Sequence, residues 1–222
     1  MKQTRKNKRN NHQGLGALAA EAQMSVHSVD TMRLWNPGDK APLPSVGRFL
    51  STVSALEHAA RYDDPYADFA LLELERVMNE AFTFFNEQLS TLPSMMTARL
   101  SFSECLSNRP HVKTLRISSR FGWRMIALLE SFDVYMVRIS DAQFKAQITR
   151  SEFEKRRFET IRKMESVLHQ VLVHKHSGLT RSDMLQNTAK AQKAMEEFGP
   201  VPFEVLEGLE RAEFAPVIKR AS

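Results

Sequence analysis

The stretch KTLRISSRFGWRMIALLE, residues 113–130, contains two different periodicities in direct succession. In its first part, polar side chains alternate with the apolar side chains of Leu115 and Ile117. The polar residues at alternate positions are Thr114, Arg116 and Ser118. Successive side chains of a β-strand point to opposite faces, so this alternation predicts a half-buried strand, followed by a helix over 119–130.

A second segment, DTMRLW at 30–35, shows almost the same alternation. Thr31 and Arg33 would share one face of this strand, while Met32 and Leu34 would share the other. Downstream, GRFLSTVSALEH (47–58) aligns without gaps to SRFGWRMIALLE (119–130), with Arg48 opposite Arg120. The first copy contains an additional Pro- and Gly-rich stretch, residues 36–46, as expected of an inserted loop.

A further helix is expected after each aligned helix, beginning near Asp64 in the first copy and near Asp133 in the second. The unit of strand, helix and helix would therefore occur twice. A lone strand leaves its backbone groups unpaired, so each strand needs a partner, and the nearest equivalent is the other copy. We expect a mainly α fold with a small antiparallel β ribbon, in which an internal strand-helix-helix duplication forms a ribbon-helix-helix-like core, plus C-terminal helices. Pairing within one chain or between two chains stays open.

Composition and helix signals divide the chain into three regions. These are a disordered basic arm (1–23), the duplicated core (24–149) and a helical C-terminal region that packs on the core or on a dimer interface (150–222). Capping residues and apolar periodicity predict a helix over 65–91, one from Ser151 to a stop at Gly178, and one from Thr180 to about Phe198.

The charge balance is compatible with a polyanionic partner. Lys and Arg number 31 against 26 for Asp and Glu, which gives a net charge of +5 and a sequence pI near 9.4. The cations of the arm are Lys2, Arg5, Lys6, Lys8 and Arg9, and they would either contact phosphates or act as a solubilising tail.

Cys105 is the only cysteine, so an internal disulfide is excluded and a reducing cytoplasm is expected. The sequence contains neither a signal-peptide pattern nor an apolar run of membrane-spanning length.

A two-stranded ribbon fits the major groove of DNA, where its outward side chains meet the base edges. The outward residues predicted here are Thr31, Arg33, Thr114, Arg116 and Ser118. Arginine can donate two hydrogen bonds to guanine, and threonine can contact a base through its hydroxyl or its methyl group. Arg48 and Arg120, at the starts of the following helices, would hold backbone phosphates. Exposed arginines are also common on solvated strands, so a purely structural or partner-binding helical protein remains an alternative.

Longer stretches of the chain resemble a known family. They are TMRLW (31–35), AARYDDPYADFALLELE (59–75), HVKTLRISSRFGWRMIALLESFD (111–133) and the closing segment from GLTRSDML to EFAP (178–216). Together they resemble the AcaB family of regulators from conjugative plasmids and integrating conjugative elements. This resemblance implies a bacterial DNA-binding transcriptional activator of conjugative-transfer genes, without catalytic activity. Family members often have a Gly-Arg pair soon after RLW, whereas the gap here is long.

The sequence disfavours metal binding and catalysis. Asp63, Asp64 and Asp68 could ligate a metal, but helix capping explains an Asp-Pro helix start better. His169, His174 and His176 lack the i, i+4 pairing of a metal site, and Cys105 has no nucleophile context. We therefore expect neither an enzyme nor a cofactor.

The expected partners are double-stranded DNA, a second copy of the chain and RNA polymerase. The expected location is the nucleoid region of the cytoplasm. The alternative function is a non-catalytic helical interaction protein of the conjugation apparatus.

Overall fold

The computed structural model describes residues 20–38, 42–93 and 103–219. Within these ranges the chain forms two strands and eight helices. In chain order they are β1 (Ala20–Val26), α1 (Val29–Trp35), α2 (Val46–Arg61), α3 (Pro65–Ser90), β2 (His111–Ile117), α4 (Arg120–Phe144), α5 (Arg150–Val173), α6 (Arg181–Leu185), α7 (Ala189–Phe198) and α8 (Phe203–Leu206). The predicted mainly helical fold with a small antiparallel ribbon is confirmed.

The ribbon is formed within one chain, since β1 pairs with β2 in antiparallel register. Its inner face carries Met24, Val26 and Ile117, all buried. The ribbon lies close to the start of α4: a Cβ added to Gly122 would lie 2.9 Å from Cγ2 of Ile117. The absence of a side chain at Gly122 thus permits this close approach.

The partner of β2 is not the segment that the sequence suggests. Residues 31–35 belong to helix α1, so the predicted strand at TMRLW is wrong. Ser28 caps this helix by accepting a hydrogen bond from the Thr31 amide at 3.1 Å, and Asp30 lies in its first turn. An alternation only five residues long cannot distinguish a strand from a short helix, and here the cap and the tertiary contacts favour the helix.

The strand that pairs with β2 is AEAQMSV, residues 20–26. Glu21, Gln23 and Ser25 are exposed, while Met24 and Val26 are buried. The last four residues that composition assigns to the disordered arm, 20–23, are therefore part of the ribbon. The Pro-rich stretch 36–46 connects α1 to α2 rather than a strand to a helix. Because α1 lies between β1 and α2, the two halves are not an exact repeat of strand, helix and helix.

The two aligned stretches do lie in corresponding helices. Ser45 caps α2 and Ser119 caps α4, and the aligned Phe49 and Phe121 are both fully buried. However, α4 continues through Asp133 to Phe144 without a break. The predicted helix start near Asp133 is therefore wrong, and the next helix, α5, begins at Arg150.

The C-terminal helices differ from the sequence expectation at their ends. Thr149, rather than Ser151, caps α5, which ends at Val173 and not at Gly178. The predicted capping box of Thr180 and Asp183 is confirmed. The helix that it opens is interrupted because Asn187 has a φ of 49° and Thr188 caps a new helix. This second helix, α7, ends as predicted at Phe198, where Gly199 has a φ of 82°.

The core lies where α2, α3, α4 and α5 pack against one another. Its largest fully buried side chains include Phe49, Phe85, Phe121, Phe132 and Tyr135. The predicted helix over 65–91 is confirmed as α3, with Asp64 as its cap and Pro65 in its first turn. None of the helices in the described ranges is both long and apolar enough to cross a membrane.

Candidate nucleic-acid interface

The outward face of the ribbon is largely polar and accessible to solvent. Its residues are Glu21, Gln23 and Ser25 on β1 and Val112, Thr114 and Arg116 on β2. Thr114 and Arg116 thus point to solvent as their alternation predicts, and Ser118, just after the strand, is also exposed. Alternate residues of both strands therefore offer donors and acceptors on one continuous surface.

Arg116 lies opposite Glu21 in the register, and the two side chains form an ion pair. Arg116 Nε donates to Glu21 Oε1 at 2.8 Å, while the side chains are 87% and 55% exposed. Ion pairs this exposed contribute about 0–1 kcal/mol. Both Nη groups of Arg116 have no protein partner among the described residues, so the guanidinium can donate to an external acceptor while Glu21 orients it.

Gln23 is a candidate residue that sequence reasoning missed. It lies opposite Thr114 in the register, on the same face of the ribbon. A glutamine amide can both donate to and accept from adenine in the major groove. The alternation in AEAQMSV could have revealed this strand, but the basic composition of the preceding residues placed its first four residues in the arm.

Thr31 and Arg33 do not belong to the outward face. Thr31 is fully buried, and its hydroxyl lies 2.7 Å from Ser28 Oγ. Arg33 is exposed on α1, and its Nη1 donates to Asp30 at 2.9 Å. On the outward face, the residues opposite Arg116 and Thr114 are instead Glu21 and Gln23.

Buried carboxylates hold the junction between β1 and α1 in place. Asp133 of α4 accepts hydrogen bonds from the amides of His27 and Ser28, at 3.0 and 2.9 Å. Asp30 of α1 accepts two hydrogen bonds from Arg157 of α5, at 2.6 and 2.7 Å. These contacts fix β1 relative to α4 and α5, and so determine where the ribbon lies on the helices.

The predicted phosphate-binding arginines lie at helix starts. Arg48 is exposed in the first turn of α2 and has no ion-pair partner within residues 20–38, 42–93 and 103–219. Arg120 is the exposed first residue of α4, three positions after the last residue of β2, and its Nη1 donates to the carbonyl of Ala215 at 3.3 Å. The predicted arm cations Lys2, Arg5, Lys6, Lys8 and Arg9 lie outside the described residues.

Glu57 of α2 occupies the N-terminus of α4. Its Oε1 accepts a hydrogen bond from the Phe121 amide at 2.9 Å. Burial raises the pKa of Glu57 above its ordinary value of 4.5, although hydrogen bonds from Phe121 and Ser119 and the charge of Arg120 oppose the shift. A carboxylate of the protein itself thus lies where the helix dipole would favour an external anion.

The raised pKa of Glu57 predicts a pH dependence of stability. Between pH 4.5 and the raised value, the folded chain holds a proton that the unfolded chain has released, so the contribution of Glu57 to stability falls as pH rises through this window. Glu57→Gln should remove this contribution. In urea titrations across this window, the variant should gain stability relative to the wild type as pH rises, and the difference should level off above the window. A difference that stays constant across the window would contradict the assignment.

The three aspartates of DDPYAD anchor the C-terminal region. Asp64 caps α3 and also accepts hydrogen bonds from the amides of Ser177 and Gly178, at 2.8 and 2.6 Å. Asp63 accepts from Arg181 at 2.5 Å. The fully buried Asp68 binds two guanidiniums, those of Arg181 and Arg211. The capping role is as predicted for Asp64, whereas the ion pairs of Asp63 and Asp68 could not be read from local sequence.

Comparison with known proteins places the chain in a family. The family model described as "Transcriptional regulator AcaB" matches residues 14–219. The chain belongs to the AcaB family of transcriptional regulators. A search of curated proteins finds no match.

A solved AcaB structure shares the fold. The chain is similar to the crystal structure of selenomethionine-containing AcaB from uropathogenic E. coli, with a TM-score of 0.61 and 10% sequence identity. The match covers 87% of this chain and 97% of the solved chain. At this identity the likeness to AcaB concerns the arrangement of the backbone, and residue roles have to be argued from this chain itself.

Proposed function

We propose that this chain binds double-stranded DNA in a sequence-specific manner and activates conjugative-transfer genes, with the β1–β2 ribbon reading the major groove. The major groove is about 12 Å wide and admits a two-stranded ribbon. The observation that carries the proposal is the polar outward face of the ribbon, on which Gln23, Thr114 and Arg116 lie together. Membership in a transcriptional regulator family supports it.

Each of these side chains has a chemical preference among the bases. Arg116 can donate to guanine O6 and N7, and Gln23 can bind adenine N6 and N7. Thr114 can contact a thymine methyl group or donate through its hydroxyl. Glu21 would discriminate between base pairs, because its carboxylate can accept a hydrogen bond from cytosine N4 and repels the acceptor groups of other bases. Ser118 would contact the sugar-phosphate backbone at the end of the ribbon.

Phosphate contacts would set the register of the ribbon on the duplex. Arg48 and Arg120 project from the starts of α2 and α4, where such contacts position a reading element without reading sequence. The basic arm with Lys2, Arg5, Lys6, Lys8 and Arg9 would add a salt-dependent attraction. By contrast, the N-terminus of α3 is occupied by Asp64 and the C-terminal region, so it does not contribute an anion site.

The assembly that we propose is a homodimer that contacts RNA polymerase on DNA in the nucleoid. One chain already contains a complete ribbon, so a dimer would carry two reading surfaces and prefer two half-sites. Large exposed apolar side chains beyond residue 150, such as Phe158, Phe203 and Leu209, support self-association. Sedimentation of the free protein and its DNA complex would test this.

The central experiment compares Arg116→Ala with the wild type on duplexes selected from a random pool by bandshift. Removing a side chain that binds a base through two hydrogen bonds should weaken binding to the selected site by about 1–3 kcal/mol, or roughly 5–150-fold, and relax the preference at one base pair. Arg76→Ala, which removes an exposed ion-paired arginine from α3, serves as the control and should bind like the wild type.

A failure to select any preferred duplex would count against DNA reading. It would favour the alternative, a non-catalytic interaction protein of the conjugation apparatus. If Arg116→Ala and Arg76→Ala weaken binding equally, the chain still binds DNA, but the ribbon is not the element that reads the sequence.

A further inference from the structure

The last described residues form a segment outside any helix or strand, which we call the C-terminal strap (residues 211–219). Its first residue, Arg211, binds both carboxylate oxygens of the buried Asp68, at 2.8 and 2.9 Å. Glu75 of α3 then accepts hydrogen bonds from the amides of Glu213 and Phe214, at 2.8 and 3.2 Å. The strap is therefore attached to α3 by side chains that are themselves held in the core.

The strap next crosses the start of α4. The ring of Phe214 lies 4.5 Å from the guanidinium carbon of Arg124. The carbonyl of Ala215 accepts the hydrogen bond from Arg120. The strap thus limits where the guanidinium of Arg120 can lie beside the ribbon.

The strap ends against the last turn of α2. The Lys219 amide donates to the carbonyl of Arg61 at 2.8 Å, and Lys219 Nζ lies 5.7 Å from the centroid of the Tyr62 ring. Residues 215 and 219 are four positions apart, a separation of at most about 14 Å. Arg61, Arg120 and Lys219 therefore lie near one another although they come from α2, α4 and the strap.

These three cations are exposed to solvent. None of them has an ion-pair partner in the part of the chain that the structure describes, in contrast to Arg76, Arg116, Arg156 and Arg157. The nearby carboxylate is that of Glu57, which is directed toward the amides of α4 and whose pKa is raised by burial. Like charges held close together without an ion-pair partner repel one another, and this arrangement suits an external polyanion.

We propose that Arg61, Arg120 and Lys219 form a backbone-binding cluster that holds consecutive phosphates of one DNA strand beside the ribbon. This inference rests on the proposed function and names the surface that completes it. Arg120 is only three residues from Ile117, the last residue of the ribbon, which places the cluster next to a groove-bound ribbon. The strap is then part of the DNA-binding surface, contributing one cation and positioning another.

The test uses the double variant Arg61→Gln/Lys219→Gln in the full chain. Its matched control is Lys155→Gln/Lys193→Gln, which removes the same charge from exposed positions on α5 and α7. Binding is measured by bandshift or anisotropy at about 50 to 300 mM salt, on a selected duplex and on a random duplex. Circular dichroism and thermal unfolding establish that both variants fold.

The cluster variant should reduce the slope of log affinity against log salt by about 1.8, at roughly 0.9 for each phosphate that the protein no longer neutralises. It should weaken binding to the selected and the random duplex equally, so that the preference between them is unchanged. The control should keep the wild-type slope within about 0.3.

Equal slopes for the cluster variant and its control would overturn the inference, because the cations would then only be solvated. Weakening confined to the selected duplex would also overturn it, as would weakening seen with single-stranded RNA and not with duplex DNA. If the wild type shows no salt-dependent affinity for any duplex, the proposed function fails as a whole. These outcomes separate a wrong cluster from a wrong function.

Discussion

Asp68→Ala is expected to lower the free energy of unfolding by about 3–5 kcal/mol, the range for breaking a buried ion pair. The Asp68 side chain is fully buried and accepts one hydrogen bond from Arg181 and two from Arg211. Removing it leaves two guanidiniums facing each other with only Asp63 to neutralise them. Urea denaturation measures the destabilisation, and amide hydrogen exchange should accelerate over residues 174–219.

The matched control is Glu80→Gln on the same helix. Glu80 forms exposed ion pairs with Arg76 and Lys163, and these should contribute little. In a double-mutant cycle, Arg211→Ala should cost much less in the Asp68→Ala background than in the wild type. Additive effects, or a destabilisation below about 1 kcal/mol for Asp68→Ala, would show that the network does not hold the C-terminal region.

The second large effect is expected for Asp133→Ala, at about 2–4 kcal/mol. Its buried carboxylate accepts the amides of His27 and Ser28, two donors that would lose their partner at the junction of β1 and α1. Hydrogen bonds to charged groups contribute about 1.5–3 kcal/mol each, but His27 and Ser28 are only half-buried, so water can replace part of what their amides lose. Hydrogen exchange should locate the destabilisation in the ribbon, and DNA affinity should fall with it.

Two further variants make this prediction specific. Asp133→Asn keeps one acceptor oxygen, so its effect on stability should be intermediate. Glu130→Ala alters an exposed carboxylate one turn earlier on α4 and should leave the ribbon unchanged. A ribbon that exchanges at the wild-type rate in Asp133→Ala would contradict the role of this carboxylate as its anchor.

The ribbon illustrates how far local sequence reasoning reaches. The alternation over 113–118 identified β2 and its outward residues Thr114 and Arg116, because a strand with one solvated face imposes a period of two. The similar alternation at 31–35 lies in a helix instead, because Ser28 caps this segment and because Thr31, Leu34 and Trp35 are buried. The true partner, β1, was obscured by the basic composition of the residues before it.

Some residues of the candidate site were predicted from the sequence, whereas others were recognised only in the structure. Exposed arginines at helix starts, Arg48 and Arg120, were identified from a pattern of strand followed by helix. Glu21 and Gln23 became visible only with the register of the ribbon. The strap and its Lys219 were predicted only as part of a C-terminal region that packs on the core or on a dimer interface, since nothing local indicates that residue 219 lies against residue 61.

By itself, the sequence determined the long helices α3 and α5, the position of β2, the absence of internal disulfides and membership in the AcaB family. The helices and the strand depend on capping groups and on side-chain periodicity, which act between neighbouring residues. The absence of disulfides and the family membership depend on residue types and their order, so neither requires a three-dimensional structure. Only the tertiary structure decided which strand pairs with β2, which aspartates bind arginines more than one hundred residues away, and which residues the C-terminal strap contacts. Such contacts depend on burial and pairing between segments that are far apart in the chain. A local sequence pattern does not contain the spatial distance between such segments.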